Sequence, residues 1–314
     1  MEIFYGLENF PLPASNVALA IGNFDGLHLG HQRILKFLVR DSQKKDRLSL
    51  VLTFSPHPER IFRKNALSMI QTLDQRLEGM DRHGVRAVLV VPFDQRFSGL
   101  SSLDFIQEVV VRSLRGREVI VGENFHFGRN REGNIQTLRR AGRQFGFSVH
   151  SVPSVVRKGK TVSSSLIRTL LKEGKIEEAN VFLGKFYSIE GDIIRGDARG
   201  KFIGFPTANI LTPNEITPCG VYLTLTEVGR IRRASLTNIG TRPTFGREEL
   251  VIESHILGFD QDIYGERIHL YFLKKLRGER KFKSPEALSL QIHKDLNAAK
   301  KYFQNRRHLI SAQP

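Results

Sequence analysis

Hydrophobic positions along the 314-residue chain change their rhythm once. Up to about residue 184, short β-rich runs at 17–21, 47–53, 86–91, 118–122 and 147–152 alternate with stretches of helical spacing. Ile34, Leu35 and Leu38 mark one apolar helix face, and Leu103, Phe105, Ile106, Val109 and Val110 mark another. Strands alternating with helices predict a parallel sheet covered on both sides, the α/β doubly wound class. Ligands of such sheets sit beyond the carboxyl ends of the strands.

After Gly184 the runs at 186–194, 221–228, 231–238, 251–257 and 267–273 are separated by Gly, Pro and polar turns, with no helical pattern between them. This texture predicts a small antiparallel barrel or sandwich. A C-terminal helix follows, with Ser284 suited to the N-cap and Pro285 to the first helical position. Leu288, Ile292, Leu296, Ala299 and Phe303 then recur at spacings of three or four. The change of texture places a domain boundary at Gly184 and Lys185, giving domains 1–184 and 185–314.

Composition narrows the setting. At 40% hydrophobic and 25% charged residues, both halves can bury a core, and no apolar stretch approaches the roughly 18 residues of a membrane helix. The opening MEIFYGLENF lacks the basic start and apolar run of a secretory leader, and Cys219 is the only cysteine. Disulfides and cysteine-rich zinc sites are excluded, so a cytoplasmic location is expected. The net charge of +16 fits nucleic acid, an anionic membrane or small anionic substrates. Half of it falls at 274–308, where eleven Lys or Arg meet three Asp or Glu. No aromatic-interleaved basic stripe accompanies that run, which reads as solvated helix surface. The expected partners are therefore small molecules, with neither nucleic acid nor membrane, and the oligomeric state is open.

Two segments carry chemistry. The first strand feeds Gly22-Asn23-Phe24-Asp25-Gly26-Leu27-His28-Leu29-Gly30-His31, a glycine-rich turn that opens a helix. Backbone amides and a helix N-terminus face a phosphate there. His28 and His31 stand three residues apart at that opening and point the same way. They are suited to stabilise charge on triphosphate oxygens and on departing pyrophosphate, without a covalent intermediate. The second segment, 196–209, gathers glycines, Arg199, Lys201, Thr207 and Asn209. Thr207 and Asn209 fall on one face of an extended strand, where their oxygens suit Mg²⁺ bridging ATP phosphates.

These residues carry a resemblance. GNFDGLHLGH looks like the signature of the HxGH nucleotidyltransferases, in particular the N-terminal domain of bacterial bifunctional riboflavin kinase/FAD synthetases. Thr53-Phe54-Ser55-Pro56-His57-Pro58, Phe93-Asp94 with Phe97, Val121-Gly122-Glu123-Asn124-Phe125-His126-Phe127-Gly128 and Ser163-Ser164-Ser165-Leu166-Ile167-Arg168 resemble further motifs of that family, in order. The stretch 196–209 is similar to the flavokinase motif GxxxGRxLGFPTAN, Asn238 to Phe245 to NIGxxPTF, and Glu253-Ser254-His255-Ile256-Leu257 to ExHIL. Ser165, Asn124 and Lys201 stand where Thr, Asp and Arg are common in the family.

The resemblance implies a nucleotidyltransferase domain followed by a flavokinase barrel. It implies two reactions, phosphorylation of riboflavin to FMN and adenylylation of FMN to FAD, with ATP as co-substrate and Mg²⁺ as cofactor. By carry-over, His28, His31, Ser164 and Arg168 bind phosphate, while Gly22, Asn23, Phe24, Asp25 and Asn124 belong to the nucleotide or flavin pocket. His57 joins that site or shapes its turn. Gly200 and Lys201 belong to the second phosphate loop, Thr207 and Asn209 to its metal, and Glu253 is the general base. Two alternatives stand beside this reading: a single retained activity, suggested by the three departures, and a flavin-sensing nucleic-acid-binding regulator, suggested by the charge.

Overall fold

The computed structural model describes residues 1–11, 16–62, 67–196, 205–229, 231–244, 247–306 and 308–311, with side chains left aside at 242–249 and 311. Gly200 and Lys201 lie outside the described residues. The chain divides into two compact units, Met1–Ser164 and Ser165–Pro314.

The first unit is built on a six-stranded parallel sheet: β1 (Glu2–Tyr5), β2 (Val17–Ile21), β3 (Leu48–Phe54), β4 (Ala87–Val91), β5 (Gly116–Gly122) and β6 (Ser148–Val152), in spatial order β1-β4-β3-β2-β5-β6. The doubly wound class expected from the alternation is what forms. Residues of β2 alternate between two cores: Val17, Leu19 and Ile21 enter one, while Ala18 and Ala20 enter the other. The second core lies under helices α1 (Leu29–Lys44) and α2 (Leu73–Arg82), which supply Ile34, Leu35, Leu38, Leu77 and Met80. The chain leaves β2 toward β3 on one side and later places β5 on the other. The turn after β2 thus occupies the point where strand order reverses, the habitual ligand position in such sheets.

The helix read from Leu103, Phe105, Ile106, Val109 and Val110 is a short turn, Ser102–Asp104, running into a wider π-helical stretch, Phe105–Ser113. Phe105, Ile106, Val109 and Val110 are buried, whereas Leu103 is exposed. The wider winding rotates the buried face away from it. Helix α3 (Ile135–Phe145) and a two-stranded ribbon, β7 (Val156–Arg157) with β8 (Lys160–Thr161), complete the unit.

Helix α4 (Ser164–Lys172) starts on the last residue of the first unit; in the second unit its remainder and α5 (Ile176–Leu183) precede a closed antiparallel barrel of β9 (Tyr187–Ile194), β10 (Ala208–Leu211), β11 (Gly220–Val228), β12 (Ile231–Thr244), β13 (Arg247–Ile256) and β14 (Arg267–Arg277). Of the two all-β forms open at the sequence level, the barrel forms. Asn180 on α5 ties to it by donating to the Phe272 carbonyl and accepting from Tyr187 N, so this helix belongs structurally with the barrel although it precedes Gly184. The lumen is filled by Tyr187, Tyr222, Phe272 and aliphatic residues on one side. On the other, Thr224, Thr226, Ser235, Thr237 and Ser254 are buried and hydrogen-bonded to one another at 2.7–3.3 Å.

Helix α6 (Pro285–Gln304) starts as the sequence predicts, with Ser284 Oγ accepting from Ala287 N and proline in the first turn. Leu296, Ala299 and Phe303 cover Val221, Leu223, Leu225, Ala234 and Leu236 on the outside of the barrel. Among the described residues no helix is long and apolar enough to cross a membrane.

Candidate active sites

The turn after β2 is unusual in its backbone. Phe24 (φ 52°), Gly26 (φ 88°) and Leu27 (φ 44°) all take the left-handed conformation. For Phe24 and Leu27 this costs on the order of 1–2 kcal/mol each. Such a conformation persists only where its surroundings over-determine it. Phe24 and Leu27 are sealed in the core beneath α1. The Asp25 carboxylate accepts hydrogen bonds from Ile70 N and Gln71 N at 3.1–3.2 Å. Ser164 Oγ donates to the Asp25 carbonyl at 2.9 Å, and Arg76 donates to the Asn23 carbonyl at 2.8 Å. Burial pushes the Arg76 guanidinium below its ordinary pKa, opposed by the nearby Asp25 charge.

Phe24 and Asp25, expected to line the ligand, are therefore turned inward, each 1% exposed. Both are occupied in shaping the turn.

His28 is the N-cap of α1, and its Nδ1 accepts from His31 N at 3.3 Å. An Nδ1 that accepts a backbone hydrogen puts the neutral ring's proton on Nε2, which then serves as a donor. The His28 and His31 rings stack, with centroids 3.7 Å apart and planes 15° apart. A Cβ at Gly30 would stand 3.1 Å from His28 Cε1, so glycine gives the capping ring its room. The sixteen-residue α1 directs its positive end to the same place.

Asn23 lies 3.0 Å from His57 Nε2. His57 Nδ1 accepts from Glu59 N at 3.2 Å, so Nε2 carries the proton and the Asn23 amide oxygen belongs beside it. The other end of the amide is buried without a protein partner, and this pairing makes it the NH₂ end. His57 thus orients Asn23 as a donor. Asn124, on the loop after β5, is exposed and donates to Ser154 Oγ at 3.4 Å. Arg168 is buried, one turn beyond Ser164 on α4.

Two features at this end of the sheet went unread in the sequence. One is Arg76, buried although charged. The other is a row of rings in edge or tilted contact, Phe62–Phe93–Phe54–Phe97–Phe105–Phe127, with Phe125 stacked on Phe127. It begins at Phe62, 68% exposed, and ends in the core. The available signal was that two of the motifs, Phe93-Asp94 with Phe97 and Val121 to Gly128, each supply two rings.

In the barrel, Asn209 on β10 pairs with Glu253 on β13, which pairs with Asn238 on β12. Directly opposed residues share a face. Ile210, Ile252, Ser254, Thr237 and Ile239 point into the lumen, so Asn209, Glu253 and Asn238 form a row on the outer face. Along β12 the row begins one step beyond Leu236, the last outward residue that α6 covers. Asn209 lies against the Gly196 backbone, where a Cβ would come within 2.1 Å of Nδ2. Thr207 immediately precedes β10, after a Pro206 carbonyl that lies 2.8 Å from His255 Nδ1. The structure thus brings Thr207, Asn209 and Glu253 to neighbouring positions at one edge of the barrel.

Comparison with known proteins agrees in order and extent. Residues 12–166 match the FAD synthetase family model and residues 183–303 the riboflavin kinase model. A protein of Escherichia coli (strain K12) described as a bifunctional riboflavin kinase/FMN adenylyltransferase is 34% identical over 307 residues, covering 96% of this chain and 98% of that one. A Bacillus subtilis (strain 168) protein of the same description is 35% identical over 301 residues, covering 92% and 93%. A crystal structure from Streptococcus pneumoniae, described as a macrolide-efflux protein, superposes with a TM-score of 0.88 at 26% identity, covering 96% of this chain and 99% of that one. With similarity of this length in both halves, the chain belongs to the family of bifunctional riboflavin kinase/FMN adenylyltransferases.

Proposed function

We propose that this chain makes FAD from riboflavin in two ATP-dependent steps, with residues 185–314 phosphorylating riboflavin to FMN and residues 1–184 adenylylating FMN to FAD. The observation that carries this reading is the presence of two constellations, one at the strand-order reversal of the parallel sheet and one across adjacent barrel strands, each drawn from motifs distant in sequence. The proposed setting is the cytoplasm, with small anions as the ligands. ATP, FMN, FAD and pyrophosphate all suit a chain of net charge +16.

In the adenylylation, an oxygen of the FMN phosphate attacks the α-phosphorus of ATP, and the bond to pyrophosphate breaks. His28, through Nε2–H, and His31 stabilise the charge passing to pyrophosphate at the positive end of α1. Ser164 contributes to holding the phosphates, and Asn23, oriented by His57, and Asn124 contribute donors to the pocket; a phosphate role for Arg168 rests on family resemblance alone. Gly22, Phe24 and Asp25 serve by fixing the turn. The phenylalanine row gives a flat apolar ligand such as a flavin ring a surface to lie on.

In the phosphorylation, the Glu253 carboxylate orients the terminal ribityl hydroxyl of riboflavin and takes its proton as the oxygen attacks the γ-phosphorus. ADP leaves. Thr207 and Asn209 offer hard oxygen donors beside a carboxylate, a donor set that fits Mg²⁺. When bound, that ion supplies charge neutralisation for the ATP phosphates. Gly200 and Lys201 take the phosphate-loop role by family resemblance.

The test is to incubate purified protein with MgATP and either riboflavin or FMN, and to separate the flavins by chromatography. Glu253→Gln is expected to stop riboflavin phosphorylation and leave FMN adenylylation intact; His31→Ala is expected to do the reverse. Loss of both reactions from one substitution in a folded protein refutes the division of labour.

A further inference from the structure

The short strand β10 begins only at Ala208, so the two residues before it have left the ladder. Pro206 has no N–H to give, and the β10–β13 pairing stops with Ala208 opposite Ser254. A carbonyl just off the end of a ladder needs another donor. The Pro206 carbonyl finds one in a side chain of β13: His255 Nδ1 stands 2.8 Å away. Because a carbonyl only accepts, Nδ1 carries the hydrogen. His255 lies two residues beyond Glu253, on the same outward face, while Ser254 and Ile256 between and beyond them are buried in the lumen.

Phe205 completes the anchor. Its ring meets His255 edge-on, with centroids 6.3 Å apart, and meets His293 of α6 edge-on at 4.8 Å. His293 is itself oriented, with Nδ1 2.9 Å from the Ser289 carbonyl of the preceding helical turn. The residue pair directly ahead of Thr207 is thus held by a hydrogen bond from β13 and an aromatic wedge against α6.

We infer that His255 is a positioning residue for the phosphorylation reaction: by holding the Pro206 carbonyl it sets the entry of the chain into β10, and with it the placement of Thr207 and Asn209 relative to Glu253. The inference rests on the riboflavin kinase reading above. His255 has no contact with the reacting groups in this role. Its work is done through the backbone.

The substitutions separate the donor from the bulk of the ring. His255→Asn places an amide NH₂ where Nδ1 stood, His255→Gln places it about where Nε2 stood, and His255→Ala removes both. A lost tether that shifts Thr207 by about 1 Å is expected to lower kcat for riboflavin phosphorylation about 10- to 100-fold. KM for riboflavin should stay within about threefold, because the flavin does not lean on this contact.

We expect His255→Ala and His255→Gln to show that loss of kcat, His255→Asn to recover most of it, and FMN adenylylation to be unchanged in all three. A purely structural role would lower thermal stability without this pattern of rescue. If His255→Ala does not fold, the Asn and Gln variants, both near the original size, decide. Wild-type kcat in His255→Gln, or equal losses in the Asn and Gln variants, overturns the inference. A wild-type chain that forms no FMN overturns the kinase reading itself, whereas an active wild type matched by His255→Ala overturns only the role given to His255.

Discussion

An alanine at Gly196 would set its Cβ 2.1 Å from Asn209 Nδ2 and 2.4 Å from Cγ. Ordinary contacts begin near 3.4 Å, so the amide must retreat by more than 1 Å. The backbone at Gly196 is not left-handed, and the three atoms nearest the added Cβ all belong to the Asn209 side chain. The obstructing atoms are the end of a side chain, so the fold has an inexpensive way out: Asn209 rotates off the outer face. On the proposed roles this removes one oxygen from the Mg²⁺ site and disturbs the residue opposite Glu253. Misplacement of about 1 Å at a reacting centre costs about 100-fold in rate, or about 2.7 kcal/mol of barrier. Gly196→Ala should therefore phosphorylate riboflavin about 100-fold more slowly while converting FMN to FAD at the wild-type rate. The assay is flavin separation by chromatography under saturating MgATP, with a melting curve to verify the fold. A folded variant that phosphorylates riboflavin within about threefold of wild type would refute the assigned role of Asn209.

Two other consequences concern stability. Thr237→Val deletes a lumen hydroxyl that bonds Thr224 at 2.7 Å and Ser254 at 2.9 Å, leaving two buried hydroxyls each short of a partner. The barrel should lose about 1–3 kcal/mol in denaturant unfolding, and an unchanged midpoint would show that the remaining hydroxyls re-pair. In the first unit, fully buried Glu118 pairs with Lys45 at 2.9 Å, with Arg47 at 2.7 Å and with His150. A hydrogen bond with the Glu118 carboxyl, and then the hydrogen bond and charge of Lys45, hold Asp41 below the ordinary aspartate value of 3.8 against the opposing effect of burial. A depressed carboxylate pKa contributes stability that is full above pH 3.8 and is lost as pH falls through the lowered value. The stability gap between wild type and Asp41→Asn should be flat above about pH 5 and close in more acidic solution; a gap that widens there would reverse the sign of the coupling.

What could be read from the sequence followed the strength of the burial signal. Strand β2, with all five residues buried, was bounded correctly to the residue. Strand β1 sits at the sheet edge with its side chains largely exposed, and no alternation marks it. Helix α2 escaped notice because much of its buried face is Gln75, Arg76 and Gly79, which carry no hydrophobic period. β10 is four residues long, too short for a pattern, although Thr207 and Asn209 already suggested an extended segment. His28 and His31 stood out by their spacing directly after a strand, whereas Glu253 was singled out only by the resemblance of its segment to ExHIL. Arg76, His255 and the phenylalanine row gain their meaning from contacts between segments distant in sequence, which periodicity cannot report.

The ring of hydroxyls inside the barrel has a consequence for how this half of the protein can change. Thr224, Thr226, Ser235, Thr237 and Ser254 satisfy one another, and Tyr187, Tyr222, Phe272 and aliphatic side chains fill the rest, so among the described residues the interior is occupied by its own packing. Asn209 and Glu253, proposed to meet the metal and the substrate, are carried on the outside of the same strands, one residue out of phase. Neighbours such as Glu253 and Ser254 answer to different demands, one set by chemistry and the other by packing. Substrate preference can therefore drift along alternate positions while the intervening ones stay fixed, and a single strand can be both conservative and inventive.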